Sequence, residues 1–328
     1  MPKKPVGLVI CDIDNTISET FNIWGGALDA AIDALAALHK TDRPAMEDIL
    51  LKAVPENRKG TSGPLIGINL AADIARTEAL HGKTPQEKAF FTKEHARIVH
   101  NWQKERDKAV LYDGVLPTIR KIKAAGAKFV LFTDARESAC LPRLAKMGFP
   151  PELIDRIYVQ PDIEKMPTTP FTVKNSMTAF KEAVAGKIVR LPPKSPKPNR
   201  ANMCMILEDM GVKDPSAVVM VGDNIRSDGG CAGSVGAAFA WQKKGTEVTE
   251  QTARCYAKFA ANPEYKIGTQ AHLAQMNESN RPTVVLQNGF ADLDRHFRFV
   301  APEKAAANGS EKPAFPLLKK LRTKAAGR

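Results

Sequence analysis

The sequence predicts an α/β protein: a Rossmann-like parallel sheet with helices on both faces, and a small α-helical domain inserted into it. Three observations lead there. Six short apolar runs read as buried strands. Helical stretches alternate with most of them, and several stop at a glycine, the expected residue just past a helix end. One region, from about residue 20 to 107, breaks the alternation and holds no convincing strand.

The first strand candidate, Val6–Ile13, is apolar except for Gly7, Cys11 and Asp12. Lys128–Thr133, Ile157–Gln160, Ala217–Val221, Ala237–Trp241 and Thr283–Gln287 follow. Helices are expected at Thr118–Ala125 before Gly126, Ala139–Met147 before Gly148, and Asn202–Met210 before Gly211. Strands alternating with helices of this length mean a parallel sheet covered on both sides. Within the inserted region, Leu28, Ile32, Leu35 and Leu38 share one helical face, as do Phe91, His95, Ile98 and Trp102. Its glycine-rich stretch, Asn57–Gly67, reads first as a helix connection and second as a loop whose tip faces a substrate.

The domain organisation expected is a discontinuous core, residues 1–19 and 108–300, a helical insertion, 20–107, and a basic tail, 301–328. The segments 160–193 and 243–282 are longer than ordinary connections in a compact sheet protein. "RLPPKSPKP" holds four prolines in nine residues and cannot be a helix interior. From Pro302 onward the composition suggests disorder, with a short basic amphipathic turn at Phe315–Leu321. There are no internal repeats.

With 328 residues, 43% of them apolar, the chain can bury a substantial core. No apolar run approaches the length of a membrane span, and the N-terminus lacks a signal-peptide pattern. Five scattered cysteines form no CxxC pair, so neither a zinc site nor a disulfide framework is indicated, and a reducing cytoplasm fits best. The net charge of +12 is concentrated in two places. Residues 187–200 carry five basic residues and no acid, and residues 301–328 carry seven basic and two acidic ones. Such segments are more often solvated than bound to nucleic acid, and no recognition motif raises the nucleic-acid reading.

In an open parallel sheet, ligands bind at the C-terminal ends of the strands. The first run ends in Asp12, Asp14 and Thr16; the second in Thr133 and Asp134; the fourth in Gly222, Asp223 and, a turn later, Asp228. Lys197 precedes the helix that leads to the fourth. Alternation along a strand would point Asp12 and Asp14 the same way, and two like charges that close need a cation or a proton between them.

The pieces "DIDNT", "LFT", "KPN" and "GDNIRSD", in that order and each at the end of the right element, resemble the four motifs of the haloacid dehalogenase superfamily. The resemblance covers roughly residues 6–20, 108–160 and 194–295, and "YDGVLPTIRKIKAAGAKFVLFTD" and "RLAKMGF" look like the family's surroundings of its second motif. It implies a Mg²⁺-dependent phosphatase. Asp12 would be the nucleophile that forms an aspartyl phosphate. Asp14 would protonate the leaving oxygen and then activate water. The family's dehalogenases lack that second acid, so its name does not give the activity. Mg²⁺ would be held by Asp12, the backbone carbonyl of Asp14, and Asp223, with Asp228 orienting a metal water or the lysine. Thr133 would donate to a phosphoryl oxygen, and Lys197 would neutralise developing charge. An insertion between the first two motifs looks like the family's first cap type, which closes over a small phosphorylated metabolite.

Plainer readings stand beside these. Asp223 can cap the next helix, Thr133 can satisfy the backbone, Asp134 reads as structural, and Lys194 competes with Lys197. His39, His81, His95 and His100 lack metal-ligand spacing and read as packing or surface residues. "DGGCAGSVG" reads as a small-residue helix packed on the sheet. The rivals to the phosphatase are a phosphotransferase or phosphomutase on the same fold, and a binding or scaffold protein that uses the basic tail.

Overall fold

The computed structural model describes residues 3–54, 66–67, 69–162, 175–259 and 268–306. Most of the glycine-rich stretch 57–67, the amphipathic turn at 315–321, and parts of the two long segments fall outside the described residues.

The first apolar run is split at Gly7 into β1 (Lys4–Val6) and β2 (Leu8–Cys11). There follow β3 (Ser18–Glu19), β4 (Val110–Leu111), β5 (Lys128–Arg136), β6 (Arg156–Gln160), β7 (Ile188–Arg190), β8 (Val218–Gly222), β9 (Ala238–Gln242), β10 (Val284–Leu286) and β11 (Phe297–Phe299). Seven of them form one parallel sheet in the order β10-β9-β8-β2-β5-β6-β7. β1 leaves that sheet and pairs with β11 instead. All six expected runs contribute strands to the sheet; β7 was not anticipated. It is a three-residue edge strand, partly exposed and running into the proline-rich segment, so it shows neither a buried run nor an alternation.

The apolar runs exist because both faces of the sheet are covered. Val9 and Cys11 of β2, Phe129 and Leu131 of β5, and Val219 and Val221 of β8 face one core. There they meet α5 (Val115–Ala124), α6 (Glu137–Lys146) and α7 (Asn175–Val184). Leu8 and Ile10, Val130 and Phe132, and Val218 and Met220 face the opposite core, against α8 (Arg200–Asp209) and α9 (Gly230–Val235). The side chains alternate with the period of two that a strand imposes.

The inserted region is all helical among its described residues: α1 (Phe21–Leu38), α2 (Arg43–Lys52), α3 (Leu70–Arg76) and α4 (Pro85–Arg106). α4 starts at Pro85 behind a capping box between Thr84 and Glu87, which satisfies backbone donors at its first turn. The antiparallel pair β3–β4 joins the two ends of the region. Leu28, Ile32, Leu35, Ile98 and Trp102 share a core of their own, separate from the two sheet cores. Cys255 and Phe259 enter that core from α10 (Glu250–Phe259), which belongs to the long segment 243–282. Part of that segment therefore buttresses the helical unit. By length and composition alone α1 could cross a membrane, contrary to the sequence expectation. Here it packs against α2, α4 and α10, and its Asp29 is buried in ion pairs.

Candidate active site

Equal register across the three central strands puts their C-terminal ends at one edge. Cys11 lies beside Leu131 on one side and Val221 on the other. The residues just beyond, Asp12, Thr133 and Asp223, are all buried. Asp228 reaches the same place from the turn after β8 because Gly222 has no side chain. A Cβ there would lie 2.2 Å from the Asp228 carboxylate. Its carboxylate also accepts the Asn224 amide at 3.1 Å.

Lys197 binds this group together. Its Nζ lies 2.6 Å from Asp12 Oδ1 and 2.6 Å from Asp228 Oδ1. The loop that carries it is held by Asp134, whose carboxylate accepts the Lys197 amide at 3.0 Å, a structural role. Lys194 is exposed, so geometry favours Lys197. Thr16 links the other two elements: its hydroxyl is 3.4 Å from Asp12 Oδ2 and accepts the Asp223 amide at 3.1 Å. Asp223 does not cap the following turn, a task that falls to Asn224. Its carbonyl accepts Trp241 Nε1 at 2.8 Å instead. The Thr133 hydroxyl accepts the Ala135 amide at 3.0 Å, which leaves its proton available to donate.

Carboxylate oxygens of Asp12, Asp223 and Asp228 all lie within 4.8 Å of one another. Burial pushes the Asp12 carboxyl up to about 7, with Asp228 and Asp14 adding to the effect against the pull of Lys197. Asp223 is pushed well up by burial and then by its acidic neighbours. Burial opposes the Lys197 charge, but Asp12, Asp228 and Asp134 outweigh it and raise that group. Three carboxylates face one ammonium, so the buried site has room for further positive charge.

Asp14 stands apart. The strand ends at Cys11, so regular alternation does not extend this far. Its carboxylate lies outside the triad; Oδ1 takes Arg143 Nη1 at 2.8 Å and the Thr20 hydroxyl at 3.1 Å. Asn15, in the left-handed conformation, accepts the Thr20 and Phe21 amides and so starts α1 next to the site. Arg143, Thr20 and Asn15 were not singled out from the sequence. Arg143 had no signal, because its partner is set by how α6 packs. The asparagine three residues past Asp12 was a readable cue for a left-handed turn.

The small-residue stretch after Asp228 packs closely, as expected, though not only on the sheet. A Cβ on Gly229 would meet the Phe239 ring of β9 and the Asn280 carbonyl, and one on Gly233 would fall 1.6 Å from the Ser279 carbonyl.

The family model for haloacid dehalogenase-like hydrolases matches residues 6–236. No curated protein matches the chain. Among solved structures, a predicted phosphoglycolate phosphatase from Haemophilus somnus aligns at 15% identity over 88% of this chain and 97% of its own, with a TM-score of 0.45. A HAD phosphatase from Thermococcus onnurineus aligns at 18% identity over 75% and 90%, TM-score 0.41. A 2-haloacid dehalogenase from Pseudomonas syringae aligns at 15% over 75% and 90%, TM-score 0.42. At such TM-scores the likenesses add nothing to the assignment, which rests on the family model. That model spans well over half of the sequence, and the chain belongs to the haloacid dehalogenase-like hydrolases.

Proposed function

We propose that the protein is a Mg²⁺-dependent phosphomonoester hydrolase that works through an aspartyl phosphate on Asp12, with small phosphorylated metabolites as substrates. The observation that carries this reading is Lys197 bridging Asp12 and Asp228, with Asp223 completing a buried carboxylate triad. The donor set suits Mg²⁺, a hard cation that prefers oxygen ligands. Three buried carboxylates against one lysine leave a negative surplus that a divalent ion balances. Asp12, Asp223 and the Asp14 carbonyl would hold it, and it would neutralise charge on the incoming phosphate.

The chain's own residues then have distinct tasks. Lys197 fixes Asp12 Oδ1 and offsets charge on the nucleophile and the transferring group. An Asp12 oxygen bonds to phosphorus as the ester P–O bond breaks. Asp14 gives its proton to the departing alkoxide. It then takes a proton from the water that attacks the aspartyl phosphate, and this returns Asp12 and releases phosphate. Thr133 donates to a phosphoryl oxygen. The helical unit of α1–α4, buttressed by α10, acts as a cap that keeps bulk water from the reaction. It limits substrates to small molecules rather than proteins or duplex DNA.

The purified protein should release phosphate from phosphomonoesters only with a divalent metal. EDTA should abolish turnover, Mg²⁺ should restore it, and Ca²⁺ should restore little because its coordination is looser. Full activity in excess EDTA would refute the metal's role. Transfer of the phosphoryl group to an added alcohol in preference to water would make the protein a phosphotransferase.

A further inference from the structure

The Arg143 guanidinium is buried, with its side chain 10% exposed. Nη1 binds Asp14 Oδ1 at 2.8 Å. Its other two nitrogens, Nε and Nη2, are buried and have no hydrogen-bond partner among the described residues. Buried donors left without an acceptor are costly, and native structures rarely keep them without a reason. These two are also the nitrogens that form the side-on fork of a guanidinium, the edge that takes both oxygens of a carboxylate or two of a phosphate.

The surroundings favour an anion there. The Arg143 guanidinium sits 5.1 Å from the Trp24 ring of α1, and Arg106 of α4 lies over the same ring at 4.0 Å. Two cations from different units, α6 of the core and α4 of the helical unit, therefore share one aromatic ring. Burial and the Arg143 charge together lower the Arg106 group to about 10. The acids on either side of Arg106 are both engaged, Asp107 with Lys146 and Glu105 with Lys108. Stacking on Trp24 satisfies the flat faces of the guanidiniums, but it supplies no acceptor to the fork.

We infer that Arg143 is a specificity-determining residue whose Nε–Nη2 fork binds a second anionic group on the leaving-group side of the substrate. The inference rests on the phosphatase reading for its placement, because Asp14, the acid for the leaving oxygen, is the residue that Arg143 also holds. A phosphate on Asp12 and an oxyanion on Arg143 would straddle Asp14. The substrate would be a phosphomonoester bearing a carboxylate or a second phosphate near the ester oxygen.

The test is a matched series: O-phospholactate, propanediol bisphosphate, and propanediol phosphorylated only on its secondary hydroxyl, which offers a neutral hydroxymethyl in place of the second anion. With Mg²⁺ present, the wild type should prefer one of the two anionic esters over the neutral one by about ten- to hundredfold in kcat/KM, mostly through KM. Which ester gains more identifies carboxylate or phosphate. Arg143→Met should bring that ratio close to one, whatever it does to absolute rates. Arg143→Lys, a point charge without the fork, should keep only part of it. A merely structural arginine would change rates without changing the ratio. A wild-type ratio near one, or a ratio that survives in Arg143→Met, overturns the inference. Calorimetric titration with the non-hydrolysable phosphonate analogues separates the two readings. If nothing is turned over but the anionic phosphonates still bind in an Arg143-dependent way, the phosphatase reading fails and this one stands. If the phosphonates show no such dependence in the folded lysine variant, this one fails.

Discussion

Two buried aspartates, Asp12 at the sheet edge and Asp29 in the helical unit, meet opposite surroundings. Asp12 shares its space with Asp223 and Asp228 and has one lysine between them. Asp29 sits on α1 among donors: Arg43 from α2, Gln251 Nε2 at 2.6 Å and Arg254 at 3.4 Å from α10. Burial pushes both carboxyls up. At Asp12 it prevails, and the group rises to about 7. At Asp29 the contacts of Gln251, Arg43 and Arg254 outweigh it and hold the group below its ordinary value. The difference separates two uses of a buried charge. A carboxylate supplied with donors ties three helices together. One crowded by its own kind holds a proton more readily than usual, as groups in active sites often do.

The largest expected effect comes from removing the crowded carboxylate. Asp12→Asn should lose at least about a thousandfold in turnover, since an amide is a poor nucleophile. Its stability without metal should stay level or rise, because one of three mutually repelling carboxylates is gone and Lys197 keeps Asp228. Thermal melts in EDTA beside rapid-quench assays for a phosphoenzyme give both numbers. A trapped phosphoenzyme in this variant would mean the nucleophile is another residue.

The satisfied carboxylate should behave in reverse. Asp29→Ala leaves Gln251 and Arg254 without their acceptor, although Arg43 retains Asp33 and Glu47. Breaking a buried pair costs about 3 kcal/mol or more, and the remaining partners of Arg43 should reduce this to roughly 2 kcal/mol. Urea unfolding measures it. The loss should appear first as faster proteolysis within the helical unit, with the sheet core still protected. A neutral Asp29→Ala would put the Asp29 network among the surface-like pairs that contribute little.

The same contrast explains what could be read from the sequence. Asp12, Asp223, Asp228 and Lys197 follow strands or precede a helix, so their convergence follows from topology once the strands are recognised. Their spacing within short motifs carried that information. The Asp29 network joins residues more than two hundred positions apart, and nothing local marks Gln251 or Arg254 as its partners. Arg143 was hidden for the same reason, because it matters only where α6 meets Trp24 of the helical unit. β7 was missed because an edge strand buried on little of its surface has no hydrophobic signature. Asp14 was expected to share a face with Asp12, which assumed that the strand continued through it. It stops at Cys11.

The smallest expected effect concerns the histidines of the helical unit, which spacing alone assigned to packing or surface. His39, at the end of α1, and His95 of α4 share a hydrogen bond between their Nε2 atoms at 2.9 Å, and His95 also lines a cavity of about 320 Å³ with His81 and Lys88. In such a bond one ring must donate and the other accept, so a first added proton on the donor ring leaves it intact and only a second breaks it. Burial, then the nearby His39 and His81, lowers the His95 group to about 4 from an ordinary 6.5. A base with a depressed folded value contributes stability that is full above its unfolded value and is lost as pH falls. The loss should therefore run from about pH 6.5 down to about pH 4, because the unfolded chain binds the proton first, and screening by solvent in the adjoining cavity should hold it to about 1 kcal/mol at pH 5. Asp29 adds its own loss only below its ordinary carboxylate range, so the two windows are separable. Denaturation at a series of pH values, for the wild type and for His95→Gln, isolates the histidine as the difference between two curves. The variant should be flatter between pH 7 and 5 and should converge with the wild type as the pH falls. Parallel curves across that range would mean that His95 is protonated as easily in the folded protein as in the unfolded chain, and that its burial does not hold it neutral.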